Sequence, residues 1–401
     1  MADKDNKKID RRNLLKAAAG SFIAWHTPAV FSATTKLFAD IVNAPRPKLV
    51  WVILRGAMDS LHAVLPLSDP DLMLHRKRLV ASVKEDTFDL GGGFALHPAF
   101  KELNHLYKQK QLTTVVAVES GAKTRSHFYA QDILESGLPK MDSDSGWLNR
   151  AVEAYQGQSL AIAHTLPLGL RGTQLSKTWY PDSLQPARDD LYERLEVLYK
   201  DDDILSERLA EGLKNRQLLA AMKKLKNKYS FPSLAASCAT MLADRDGPDC
   251  AMLELTGWDT HQNQIGRLDR KFKELDQGIA MLRENLAEQW DNTVVVVTTE
   301  FGRTVAENGT RGTDHGTASA MFIAGGAVAG GRVQGRWPGL SAADLYQGRD
   351  LMPTSDTRQW IRAILSQHWK LNAAQLDYVF PTIKTIDAQL IRPLSKSMTA
   401  L

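Results

Sequence analysis

The side chains in this chain that could do chemistry are gathered into a few short polar segments, each directly after a run of apolar residues. One reads Arg55-Gly-Ala-Met-Asp59-Ser60-Leu-His62. A second holds Glu119, Lys123, Thr124, Arg125, Ser126 and His127. A third is Thr256-Gly-Trp-Asp259-Thr-His261, a fourth Thr299-Glu300-Phe-Gly-Arg303-Thr304, and a glycine-rich loop then delivers Gly312-Thr-Asp314-His315-Gly316. Carboxylates mixed with imidazoles are the donor set of zinc or manganese sites. Asp259 and His261 are two apart, so in an extended segment they face the same side and can share one ion. Ser126-His127 opens a helical pattern, where a serine caps the helix and the helix start favours an oxyanion or a phosphate. Arg55, Arg125 and Arg303 are forked donors suited to an anionic ester, or to ion pairs with the chain's own carboxylates. A single Asp or His in such a loop is commonly a cap or a surface group. A set drawn from separate strands points to a site.

Those segments need elements to hold them. Apolar runs at 48–54, 113–118, 159–163, 250–255, 293–298 and 318–324 have the length and composition of buried strands. Helical patterns lie between them. The clearest runs from Gln264 to Trp290, with Ile265, Leu268, Phe272, Leu275, Ile279, Leu282 and Leu286 forming one apolar stripe. Alternating strands and helices predict a three-layer α/β/α sandwich around a mostly parallel sheet. Ligands of such sheets lie beyond the carboxyl ends of the strands, where the polar segments fall. Residues 45–401 are expected to form one such domain, with a helical insertion around 189–245. Within it, residues 189–228 carry acidic and then basic charges on helical spacing, read as two solvated helices. Cys238 and Cys250 could pair or remain two buried thiols; two cysteines are too few for a structural zinc site.

With 43% hydrophobic and 24% charged residues among 401, disorder and a disulfide-built miniprotein are excluded. The formal charge of +4 lies mostly at the start of the chain. Residues 1–44 hold seven Lys or Arg against four Asp or Glu, so three of the four net charges belong there. That segment runs from a basic stretch through Arg11-Arg12 and Leu14-Leu15-Lys16 to a short apolar run, the layout of a twin-arginine export signal. Pro28 interrupts the run, which is too short to span a bilayer stably. Val42-Asn43-Ala44 or Leu37-Phe38-Ala39 is the expected cleavage site. The expected location is periplasmic or secreted, with the twin-arginine translocase as partner during export and no nucleic-acid partner.

Five motifs in order resemble a known family: Leu54-Arg-Gly-Ala-Met-Asp59, Thr124-Arg-Ser-His-Phe128 with Ala130-Gln-Asp132, Gly257-Trp-Asp-Thr-His261, Thr299-Glu-Phe-Gly-Arg-Thr304 and Gly312-Thr-Asp-His-Gly316. With Gly335-Arg-Trp-Pro-Gly339, they are similar to the twin-arginine-exported bacterial family catalogued as domain of unknown function 1501, which looks like a branch of the alkaline phosphatase and sulfatase superfamily. The resemblance implies an alkaline-phosphatase-like fold, Ser126 as nucleophile aided by Arg125 and His127, and a small anionic ester as substrate, gripped by Arg55 and Arg303. It implies metal ligands at Asp59, Asp259, His261, Glu300 and His315, holding one or two ions. Two departures matter. The Asp/His pair is spaced by two rather than four, and Glu300-Phe301 stands where the superfamily has Asp-His. One histidine ligand is thus missing from its place, to be supplied by Asp314 or His127, or the second metal site is lost. The expected function is metal-dependent hydrolysis of phosphate or sulfate esters. Its rivals are a non-catalytic periplasmic binding or assembly protein, and a metal-free serine esterase using Ser126 and His315, which lacks a Gly-x-Ser-x-Gly elbow.

Overall fold

The structure, a computed structural model, describes residues 46–181, 189–220 and 227–393. The export segment expected over residues 1–44 lies outside the described residues, as do both candidate cleavage sites. All six apolar runs form strands. In chain order the first elements are β1 (Lys48–Arg55), α1 (Ser60–Ala63), β2 (Val64–Leu65), α2 (Leu72–Ala81), β3 (Phe88–Gly91), β4 (Phe94–Leu96), α3 (Lys101–Lys108) and β5 (Leu112–Glu119). There follow α4 (His127–Ser136), α5 (Trp147–Tyr155), β6 (Ser159–Ile162), β7 (Ser176–Trp179), α6 (Asp189–Tyr199), α7 (Asp203–Ala220), α8 (Phe231–Ala243) and β8 (Cys250–Thr256). The last are α9 (Gln264–Leu286), β9 (Thr293–Thr299), β10 (Ser319–Ala324), β11 (Arg332–Gln334), β12 (Ser355–Asp356), α10 (Thr357–His368) and α11 (Ala373–Val379).

The main sheet has the order β11-β5-β10-β9-β1-β8-β6-β7, with β12 also paired to β5. β1 is central and fully paired, parallel to β8 on one side and β9 on the other. Its residues alternate between two cores because successive side chains of a strand point to opposite faces. Val50, Val52 and Leu54 join the core made with α3, α8 and α9, whereas Leu49, Trp51 and Ile53 join the core made with α5, α10 and α11. Helices therefore cover both faces, giving three layers. A second sheet, β2-β4-β3, is small and antiparallel.

One strand departs from the expected parallel pairing. β10 runs antiparallel to both β5 and β9. The physical reason is the connection. No crossover helix separates β9 from β10, and a chain that returns directly to its neighbour must reverse direction. The whole 300–318 loop is thereby kept at the carboxyl end of the sheet.

Helix α9 stops at Leu286 rather than Trp290, because Ala287 turns to a positive φ of 49° and the chain tightens into a short 3₁₀ segment, Ala287–Asn292. The two helices expected in the charged stretch are α6 and α7, and α7 buries none of its residues. Cys238 and Cys250 are both buried free thiols, pushed to high pKa by burial. Among the described residues no helix is long and apolar enough to cross a membrane.

Candidate metal centre

Four chain segments meet at the carboxyl edge of the sheet. β5 runs out into a loop that starts α4 at His127; β8 ends just before Asp259 and His261; β9 ends just before Glu300 and Arg303; and the following loop returns with Asp314 and His315. Arg303 and His315 form an isolated antiparallel bridge, so the outgoing and returning halves of that loop are clipped together. Gly56, after β1, permits the close approach. Its φ is +115°, and a Cβ there would lie 2.6 Å from the backbone nitrogen of Asp259.

Three imidazoles converge. The Nε2 of His315 is 3.0 Å from Nε2 of His127 and 3.1 Å from Nε2 of His261. Asp259 joins them, its Oδ1 2.9 Å from His261 Nε2 and 3.1 Å from His315 Nε2, and its Oδ2 3.7 Å from His127 Nε2. Each ring is held from behind through its other nitrogen. His127 Nδ1 is 2.7 Å from Glu300 Oε1, His261 Nδ1 is 3.1 Å from Asp314 Oδ1, and His315 Nδ1 is 3.1 Å from the carbonyl oxygen of Arg125. A carboxylate or carbonyl only accepts, so each Nδ1 is the donor. Each neutral ring then presents an Nε2 lone pair to the middle.

Three lone pairs and a carboxylate at about 3 Å repel one another unless positive charge lies between them. The donor chemistry therefore fits a bound divalent cation: three neutral imidazoles and one carboxylate is a first-row metal set, with each histidine oriented by an acceptor behind it. Ligands about 2.0–2.1 Å from a tetrahedral ion stand roughly 3.3 Å apart, close to the spacings seen here.

The surrounding charges keep the donors ready. Burial alone would raise the Asp259 carboxyl, but the Arg303 guanidinium, 2.6 Å away, holds it down to about 2. Burial of Glu300 is likewise outweighed by hydrogen bonds from His127 and Gln131, and its pKa lies below the ordinary value. The Glu300 contact raises His127, whereas burial lowers His315. Phe301 stacks on His127 at 4.9 Å between centroids and packs against His315 at 5.2 Å, giving the centre an apolar wall.

The expected site residues separate into layers. His127, Asp259, His261 and His315 present donor atoms to the middle. Glu300 and Asp314, expected as ligands, stand behind His127 and His261 and orient them. Asp59, also expected as a ligand, is fully buried and accepts both oxygens' worth of hydrogen bonds from Arg76 at 2.8 Å, with Gln264 as a further donor. A carboxylate so compensated has no need of an ion. Arg303, expected to grip substrate, is buried and donates to Asp259 and to the carbonyls of Gly56, Ala57, Trp258 and Thr313. Arg55 likewise pairs with Glu135 and Glu254. Arg125 keeps partial exposure, anchored on the buried Asp350. Ser126 is exposed at the first position before α4, and its hydroxyl makes no cap bond.

Sequence reasoning missed Gln131, Arg76 and Asp350. Gln131 was accessible in principle, being four residues after His127 and so on the same helix face. Arg76 and Asp350 carry no local signal, because their partners are brought from distant segments.

A family model described as "Protein of unknown function (DUF1501)" matches residues 118–380, a span that holds all three imidazoles, Asp259 and Ser126. The chain belongs to this family. Asp59 precedes the matched span. Among curated proteins no sequence matches the chain. Similar solved structures include the C-terminal periplasmic domain of EcEptC from Escherichia coli in complex with Zn, at 11% identity and a TM-score of 0.38, covering 70% of this chain and 73% of that chain. Ps i-CgsB in complex with k-i-k-neocarrahexaose is 12% identical with a TM-score of 0.38, over 85% of this chain and 75% of that one. Human ectonucleotide pyrophosphatase/phosphodiesterase 5 is 10% identical with a TM-score of 0.29, over 63% and 57%. Likenesses this low say nothing of activity.

Proposed function

We propose that this DUF1501 member is an exported zinc-dependent hydrolase of phosphate or sulfate esters with Ser126 as its nucleophile. The observation that carries the reading is the convergence of three Nε2 atoms and Asp259, each ring tied down through Nδ1, directly beside Ser126 in the chain. His127, His261, His315 and Asp259 would hold a single ion. Bound there, zinc would supply Lewis-acid stabilisation of negative charge on the reacting group.

The chain's own residues would do the rest. Ser126 Oγ attacks the phosphorus or sulfur, the bond to the ester oxygen breaks, and that oxygen leaves with the electron pair and takes up a proton. Ser126 is exposed, so its own proton can pass to water. Water then displaces the group from Ser126 and frees the serine. The N-terminus of α4, through the helix dipole, favours the negative charge of the transferring group. Of the three arginines expected to contact substrate, Arg125 keeps the most exposure and would neutralise the non-bridging oxygens. Arg303 acts through Asp259 and is a positioning residue.

A second reading is a binding protein with the same centre and no turnover. It is favoured by the internal pairing of Asp59, Arg55 and Arg303, which leaves one ion's worth of ligands and one arginine for substrate. Elemental analysis of protein purified after export, together with hydrolysis of 4-nitrophenyl phosphate and 4-nitrophenyl sulfate, separates the two. The hydrolase reading expects one zinc per chain and turnover that is lost with a chelator and with Ser126→Ala. Stoichiometric zinc with no turnover supports the binding protein, and neither zinc nor turnover sinks both. Export through the twin-arginine route is part of the same proposal, and blocking that route should leave precursor in the cytoplasm.

A further inference from the structure

A second feature at the same edge of the sheet is a cleft of about 730 Å³ at the carboxyl ends of β6 and β8, a size typical of small-molecule sites. It adjoins the metal centre through shared elements. Helix α4 starts at His127, just after Ser126, and carries Asp132, which lines the cleft, five residues after His127, about 7.5 Å along the axis. Thr256, also on the cleft wall, is three residues before Asp259. Arg55 connects the two directly, donating from the cleft to Gln131, which donates to Glu300 behind His127.

The lining of the cleft is partly aromatic and partly charged. His164 and Tyr180 lie 3.9 Å apart between ring centroids, and Tyr229 continues the row, stacked with Tyr180 at 6.1 Å. Of the lining charges, Arg55 pairs with Glu135 and Glu254 and Lys271 with Glu274, whereas Arg171 donates to the carbonyls of Leu166 and Ser143. Asp132 accepts no hydrogen bond from any described residue. The cleft thus offers aromatic faces, phenolic hydroxyls and an unmatched carboxylate, with no unpaired cluster of cations.

We propose that this cleft binds a neutral sugar ring, and that the ester cleaved at the metal centre is carried on a saccharide hydroxyl. A pyranose has an apolar C–H face, which the row of rings formed by His164, Tyr180 and Tyr229 attracts, and a rim of hydroxyl donors, which Asp132 and the tyrosine oxygens accept. The lining carries four carboxylates (Asp132, Glu135, Glu254 and Glu274) against three cations (Arg55, Arg171 and Lys271), so the cleft does not suit a polyanionic ligand. The sugar-binding half stands independently; the ester half rests on the hydrolase reading above.

The test is binding of methyl glycosides of glucose, galactose, mannose and N-acetylglucosamine to the exported protein, followed by saturation-transfer NMR, with adenosine as the competing ring. Saturable binding of at least one glycoside is expected, weakened about tenfold by Asp132→Asn and by Tyr180→Ala, with zinc content unchanged. Tyr229→Ala, at a more exposed position, gives the same loss if Tyr180→Ala fails to fold. No binding by any of the four glycosides, preference for adenosine, or binding indifferent to all three substitutions overturns the proposal. Hydrolysis distinguishes the two failures. Glycoside binding without turnover of glucose 6-phosphate or N-acetylglucosamine 6-sulfate removes the hydrolase reading alone. Turnover of ethyl phosphate as fast as of those esters, with no glycoside bound, removes the sugar site alone.

Discussion

His127 Nδ1 and Glu300 Oε1 are 2.7 Å apart, although 173 residues separate them in the chain. Glu300 is buried and also accepts from Gln131 and from the backbone nitrogen of Gly56, so its position is fixed by donors from α4 and from the segment after β1. The pair sets which nitrogen of His127 carries the proton and therefore which one faces Asp259 and His315.

Glu300→Gln keeps the size of the side chain but removes the charge that fixes the His127 tautomer. Zinc affinity is expected to fall about 10–100-fold, the cost of losing such a supporting contact. Competition with a chromophoric chelator measures it. Unchanged affinity would show that His127 is oriented by packing alone, for example by Phe301.

Asp59→Asn separates a structural carboxylate from a metal ligand. It leaves the Arg76 guanidinium buried without a counter-charge, so stability should fall by about 3–5 kcal/mol. Zinc stoichiometry in the folded fraction should not change. Denaturant titration and elemental analysis together decide; loss of zinc at unchanged stability would restore Asp59 to the ligand set.

Ser126→Ala should abolish hydrolysis while leaving both zinc content and melting temperature close to those of the parent. Its hydroxyl makes no cap bond, so its removal costs the fold little. A fall in melting temperature of the size expected for a lost cap would mean that the hydroxyl is structural.

Stability should drop as pH falls from about 6.5 toward 4. Burial lowers His62 to about 3, and His97 and His368 to about 4, from an ordinary 6.5. In that window the unfolded chain binds protons at three positions that the folded protein keeps neutral, so stability rises with pH there. Asp276 opposes them. Burial raises its carboxyl to about 6, so below pH 6 the folded protein binds a proton that the unfolded chain does not. These four groups together should give a slope approaching two protons between about pH 5 and 6, steepest near pH 5.5 and falling off on either side. Denaturation midpoints measured across pH 4–7 check it, and the slope should shrink in His368→Gln.

The six main strands read from the apolar runs, the start of α9 and the carboxyl-end placement of the polar segments follow from the sequence alone, because they depend on local periodicity. Six apolar runs separated by helical patterns leave few arrangements other than a covered sheet, and its strand ends must carry the loops. The residue types at those loops also limit the chemistry to carboxylate and imidazole. What the sequence could not decide is which of those side chains face one another. Asp59 has the right type at the end of the central strand, yet Arg76 neutralises it. Glu300 and Asp314 have the right type too, yet each stands one contact behind a histidine. The direction of β10 belongs to the same category. Ligand and supporting residue differ by a few ångströms of position, and those ångströms are set by contacts between segments far apart in the chain, such as Gly56 against Asp259 and Arg303 against His315. Local patterns carry no record of such contacts, so only the folded chain separates the four residues that point inward from the carboxylates that hold them there.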